Sequence, residues 1–128
     1  MARKARLIIP GVPLHVLVKG LPDLAIFPND ESKLKYLAWL RDAAREYELA
    51  IHAYVLLPTQ LNLLVTPKNS ESLSRTMQSL GRRYTQYFNQ LHHKEGSIWT
   101  GRYKSSIVDP PNYLLNCQKF IELMPVYE

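Results

Sequence analysis

The chain has 128 residues, of which 46% are apolar and 21% charged, with a formal net charge of +5 and a pI of about 9.4. A chain of this size can bury one hydrophobic core and is too short for two domains, and no apolar run approaches the ~20 residues of a membrane-spanning helix. The single Cys117 excludes an intrachain disulfide and fits a reducing, cytoplasmic setting.

The N-terminal stretch "MARKARLIIPGVPLHVLVKG" begins with basic residues, as a signal peptide would. Its apolar part is broken by Pro10, Gly11, Pro13 and His15 and lacks a small-residue cleavage site, so it reads as mature protein. "PLHVLVKG" alternates apolar and polar positions and is rich in Val and Leu, which predicts a first strand ending at Gly20. "LPDLAIFPND", with two prolines, reads as a loop. Asn29 or Asp30 can then cap a helix whose Leu34, Leu37, Leu40 or Arg41, Ala44 and Tyr47 follow the three-four spacing of a buried face. "AIHAYVLL" is expected as a second strand, Pro58-Thr59 as a turn, and "QLNLLVTP" as a third strand with Gln60 and Asn62 on the same face.

Ser70 is positioned to cap a second helix, with Glu71 favourable at its positive end and Leu73, Met77, Leu80, Tyr84, Tyr87 or Phe88 and Leu91 as its inward stripe. "KEGSIWTG" reads as a loop, "RYKSSIVD" as a fourth strand, and Pro110 or Pro111 opens a last helix stopped by Pro125. The order β-α-β-β-α-β, followed by one more helix, predicts an α+β, ferredoxin-like split βαβ fold. Its four-stranded antiparallel sheet would carry both internal helices on one face, in a single domain over 1–128.

The charge is unevenly spread. Lys68 to Lys104 holds seven basic residues against Glu71 and Glu95, and the rest of the chain balances at nine against nine. The entire net charge thus lies in one contiguous third, which favours a polyanion such as nucleic acid as partner. Arg75, Arg82 and Arg83 share the second helix, and Lys94, Arg102 and Lys104 follow it. Tyr84, Tyr87, Trp99 and Tyr103 are interleaved with these cations, a pattern that suits phosphate contacts combined with stacking on unpaired bases. Tyr84 and Tyr87 fall near the apolar stripe and are expected in the core. Trp99, in the Gly-flanked "GSIWTG", reads equally well as an exposed stacking ring or as a residue packed on the domain.

"HAYVLLPTQLNLLV", "LSRTMQSLGRRYTQYFNQLHH", "SIWTGRYKSSIVD" and "YLLNCQKFIELMPV", together with the N-terminal "RLIIPGVPLHVLVKG", resemble the IS200-like single-tyrosine transposases, nearest to the repeat-associated tyrosine transposases of bacteria. The resemblance covers nearly the whole chain. It implies action on single-stranded DNA, often beside a hairpin, by a tyrosine on the last helix that attacks the phosphodiester. Two histidines in a His-hydrophobic-His motif and a polar residue one turn after the tyrosine would hold Mg2+ or Mn2+ to polarise the phosphate. Members include monomers and dimers, so a homodimer is open.

The resemblance places each of those roles on a residue that departs from the family pattern. The histidines fall on Gln60 and Asn62, the nucleophile on Phe120, and the polar residue on Met124. Neutral amides bind hard cations far more weakly than imidazole and carboxylate sets, Phe has no hydroxyl, and a thioether suits neither metal. Tyr113 precedes Phe120 by seven residues on the same helix face, roughly 10 Å away at 1.5 Å per residue, and would serve only a shifted substrate. His15 and His52 are expected in satisfied structural roles, and Cys117 as a small core residue. The expected protein therefore has no catalytic residues, no metal and no cofactor, and binds single-stranded or hairpin DNA through Arg75, Arg82, Arg83, Lys94, Trp99, Arg102 and Lys104. The alternatives are a metal-dependent nicking enzyme with a displaced nucleophile and a protein-interaction remnant without DNA affinity.

Overall fold

Leu14, Val16 and Val18 lie on one side of a short alternating segment, and burying that side fixes how the first strand must face. The computed structural model describes residues 9–108. In it β1 (Leu14–Lys19) buries those three side chains and turns His15, Leu17 and Lys19 to the opposite face. Helix α1 (Asp30–Glu46) starts at an Asn29 cap, whose side chain accepts from the Ser32 amide at 2.9 Å while the Ser32 hydroxyl accepts from the Asn29 amide at 3.4 Å. This reciprocal closure satisfies two otherwise orphaned donors. Strands β2 (Leu49–Leu57) and β3 (Gln60–Pro67) form a hairpin around Pro58-Thr59, helix α2 spans Ser72–His92, and β4 is Lys104–Ile107.

The strands pair in the order β2-β3-β1-β4, all antiparallel, which is the ferredoxin-like arrangement. Leu61, Leu63 and Val65 of β3 stand opposite Val18, Val16 and Leu14 of β1 and join the core cluster formed with α1 and α2. Both helices therefore cover the same sheet face. The predicted last helix, with Tyr113, Cys117, Phe120 and Met124, lies outside the described residues. Among the described residues no helix is long and apolar enough to cross a membrane.

Three expectations are corrected. Leu34 is 67% exposed; α1 buries Leu40 and Ala44 as expected, and with them Ser32, Lys33, Tyr36 and Ala43. In the first turns Tyr36 takes the inward place, its ring packing edge-on against Phe27 and Tyr84 at 5.2 and 5.3 Å between centroids. An aromatic cluster contributes more buried area than a leucine at the helix start. Ser70 does not cap α2: the helix begins at Ser72 after Glu71, the Glu71 amide donates to the Asn69 side chain at 2.9 Å, and the Ser72 hydroxyl accepts from the Asn69 amide at 3.1 Å. Leu91 is 51% exposed, the buried stripe of α2 having ended one turn earlier at Phe88.

The loop before α1 carries core residues that no periodicity marks. Ile26 and Phe27 are buried, and the Tyr84 hydroxyl donates to the Ile26 carbonyl. Burial raises the Tyr84 phenol well above its ordinary value, and burial followed by the neighbouring Tyr84 does the same for Tyr36.

Candidate functional site

Gln60 and Asn62 occupy the sheet face turned away from the helices, as their spacing predicts. Gln60 pairs with Leu57 and Lys19 at the mouth of the hairpin, and Asn62 pairs with Val55 and Leu17. The hairpin is held by main-chain bonds from outside the sheet ladder: the Gly20 amide donates to the Thr59 carbonyl at 2.9 Å, and the Phe27 amide to the Pro58 carbonyl at 3.2 Å. Asn62 is not on a wet face. It is only 2% exposed, and its Oδ1 accepts from His15 Nε2 across the β1–β3 pair at 2.9 Å. With that acceptor the imidazole carries its proton on Nε2.

This donor set does not fit a hard divalent cation. One amide oxygen already accepts from an imidazole N–H, the other residue is also a neutral amide, and neither supplies the charge that Mg2+ or Mn2+ requires. Among the described residues no group of three His, Cys, Asp or Glu side chains comes together as a metal site. His52, on β2, meets the Thr66 hydroxyl at 2.7 Å on the exposed side of the sheet edge. Both strand histidines are thus hydrogen-bonded within the sheet.

The outward face of α2 is cationic. Arg75, Arg82 and Arg83 line a shallow concavity with Gln78, Ser79, Gln86 and Tyr47, and no carboxylate lines it among the described residues. Helical geometry explains the grouping, because positions 75, 79, 82 and 86 recur every three or four residues. Arg75 is partly neutralised by Glu71, one turn earlier, at 2.8 Å. The Arg83 guanidinium lies 4.9 Å from the centre of the Trp39 ring, which orients it while leaving its charge at the surface. Arg82 is exposed.

On the other flank of α2, residues 98–100 extend the pairing of β1 beyond β4. The Leu21 amide donates to the Ile98 carbonyl at 2.9 Å, the Thr100 amide to the Lys19 carbonyl at 2.8 Å, and the Thr100 hydroxyl to the Gly20 carbonyl at 2.6 Å. This strap seats Trp99 against Tyr36 and Tyr84 and sends its indole N–H to the Thr85 hydroxyl at 2.9 Å. Trp99 is half-buried, packed on the domain and at the same time part of a cleft wall. Between strap and helix a cleft of about 370 Å³ opens, with Trp99, Tyr103, Met77 and Val18 as walls and Gln78, Ser74 and Arg102 as polar lining. Sequence spacing does not single out Gln78 or Gly81. Both become visible only once the strap is in place.

The expected basic residues do not form one surface. Arg75, Arg82 and Arg83 lie together on α2, and Arg102 lies at the neighbouring cleft. Lys104 pairs with Leu17 on the opposite sheet face, and exposed Lys94 lies beyond the C-terminal end of α2. Phe120, Met124 and Tyr113 lie outside the described residues.

Comparison with known families matches residues 15–123 to the family described as "Transposase IS200 like". The chain belongs to the IS200-like transposase family. Among solved structures it is similar to a REP-associated tyrosine transposase bound to a REP hairpin, with a TM-score of 0.74 and 15% identity over 94% of this chain and 70% of that one. It is also similar to a protein from Deinococcus radiodurans R1 named as a transposase, with a TM-score of 0.63 and 21% identity over 98% of this chain and 99% of that one. At these identities the likeness is one of fold. Comparison with curated proteins finds no match. In this IS200-like transposase family member the polar pair on β3 is part of the sheet's own bonding, since buried Asn62 bonds to an imidazole from the neighbouring strand.

Proposed function

We propose that this IS200-like transposase family member is a DNA-binding protein, one domain acting in the cytoplasm, that holds single-stranded or hairpin DNA and does not cut it by the family reaction. The observation that carries the binding reading is the carboxylate-free concavity of Arg75, Arg82 and Arg83 on α2. Clustered guanidinium groups suit phosphate oxygens, which they contact in bidentate pairs. The hairpin carried by the REP-associated relative motivates the choice of DNA form. Loss of cleavage rests on the residues that replace the catalytic ones: amides at Gln60 and Asn62, the hydroxyl-free Phe120, and Met124. Asn62 Oδ1, already engaged by His15, supports that reading.

The test is a titration of a fluorescent hairpin, a scrambled single strand and a duplex across salt. Hairpin-preferring binding with a steep salt slope is expected, because each phosphate neutralised releases condensed counterions. The double substitution Arg82→Glu, Arg83→Glu is expected to abolish binding with the fold intact by circular dichroism, and unchanged affinity overturns the proposed face. Stoichiometry in the same titration reads whether one copy or two engage each hairpin. Labelled hairpin incubated with manganese is expected to stay intact, whereas cleavage or a covalent adduct overturns the loss of catalysis.

A further inference from the structure

The geometry points to the cleft between α2 and the 98–103 segment as a pocket for one unpaired nucleobase, an inference that rests on the DNA-binding reading and gives it a second, distinct subsite. Its volume of about 370 Å³ falls at the small end of the ~300–1,000 Å³ typical of small-molecule pockets. That is ample room for one planar nucleobase. The Trp99 and Tyr103 rings supply aromatic wall, and Met77 and Val18 the apolar remainder. Every base offers a π-face to such a wall.

The polar lining fits the same ligand. Gln78 and Ser74 present amide and hydroxyl groups, which can pair with the donors and acceptors of a base edge, and Arg102 offers a planar cation for stacking or for phosphate. No carboxylate lines the cleft among the described residues, so the anionic backbone meets no local repulsion. Trp99 is held in place by its bond to Thr85 and by the strap bonds from Thr100 to Lys19 and Gly20, so the wall is formed before the ligand arrives. Preformed walls reduce the ordering cost of binding.

Gln78 ties the two surfaces together. It lines both the aromatic cleft and the arginine concavity, which therefore lie on adjoining flanks of α2. A nucleotide whose base enters the cleft keeps its phosphate beside the arginines, whereas a stacked duplex offers phosphates alone. The pocket thus accounts for a preference for unpaired DNA that the arginine face, being indifferent to pairing, does not supply.

The test uses the full chain and a hairpin whose loop bases are replaced one at a time by an abasic site. One position is expected to weaken wild-type binding about tenfold, the scale of a single base–aromatic stack. Gly81→Leu directs a side chain into the cleft from a position whose added Cβ meets only Trp99 Nε1, at 3.8 Å. In that variant the ratio of affinities for intact and abasic hairpins is expected to fall to near one. Tyr103→Ala, which removes wall rather than filling space, is expected to lower the same ratio and guards against a folding defect in the first variant. Wild-type binding indifferent to every abasic site overturns the pocket alone, as does full sensitivity retained in both variants. Absence of any binding overturns the DNA reading and the pocket together.

Discussion

Asn62 Oδ1 accepts from His15 Nε2 at 2.9 Å across the two central strands of the sheet. The two residues are not directly opposite, since Asn62 pairs with Leu17 and His15 with Leu64, so the bond is a diagonal one on the face away from the helices. Diagonal neighbours on antiparallel strands come within reach of long or aromatic side chains. The position that the family resemblance assigns to a metal-binding histidine is therefore tied to its neighbour by an ordinary protein hydrogen bond.

A structural bond of this kind makes a measurable claim. Asn62→Ala leaves the His15 N–H without this acceptor, and His15→Ala leaves a buried amide oxygen without this donor. Each is expected to cost about 1 kcal/mol, the net contribution of one hydrogen bond. The double substitution is expected to cost less than the sum of the singles, with a coupling of at least about 0.5 kcal/mol. Urea unfolding of the four proteins decides it, and strict additivity would show that the pair contributes nothing to the fold.

Tyr36 and Tyr84 give the domain an alkaline limit. Both phenols are raised well above their ordinary value of about 10, chiefly by burial, while in the unfolded chain they titrate near that value. Below pH 10 the phenols are neutral in both states and stability is independent of them. Above it the unfolded chain loses protons that the folded chain retains, so stability falls as pH rises, by about 1.4 kcal/mol per pH unit for each tyrosine. Tyr84→Phe removes one such group and is expected to make the loss between pH 10 and 11.5 shallower by that amount. At pH 7 the same variant is expected to be less stable by about 1–2 kcal/mol, because the buried Ile26 carbonyl loses its donor. An unchanged alkaline slope would mean that Tyr84 ionises freely.

The strands were legible because alternation and hairpin punctuation survive in sequence: β3 runs over the residues quoted for it, and β1 and β4 differ only at their ends. The inward place of Tyr36 on α1 was not legible. Leu34 and Tyr36 each fit the three-four rule with later residues of the stripe, and the choice between them is made by Phe27 and Tyr84, distant in sequence. The same holds for the candidate site. Spacing along one helix groups Arg75 with Arg82, but it cannot show that Lys104 faces the other side of the sheet, or that Trp99 is carried onto α2 by a strap paired with Lys19 and Gly20.

Two glycines that frame this strap are expected to respond to alanine with opposite sign. Gly20 lies between the hairpin turn and the strap, and a Cβ there would sit 2.6 Å from Ile26 Cγ2, inside any real contact distance. Ile26 is fully buried and β-branched, so it has little freedom to yield. Gly20→Ala is therefore expected to destabilise by about 1–3 kcal/mol, the usual scale of overpacking. Gly81 lies within α2, where a Cβ would meet Trp99 Nε1 at an ordinary 3.8 Å. Gly81→Ala removes backbone freedom from the unfolded chain without a clash and is expected to stabilise by up to about 1 kcal/mol, a rise of about 4 °C in Tm. Thermal unfolding of the two variants side by side makes the comparison. If both fell together, Gly81 would be kept for close packing against the strap, and the space beside Trp99 would be smaller than the cleft requires.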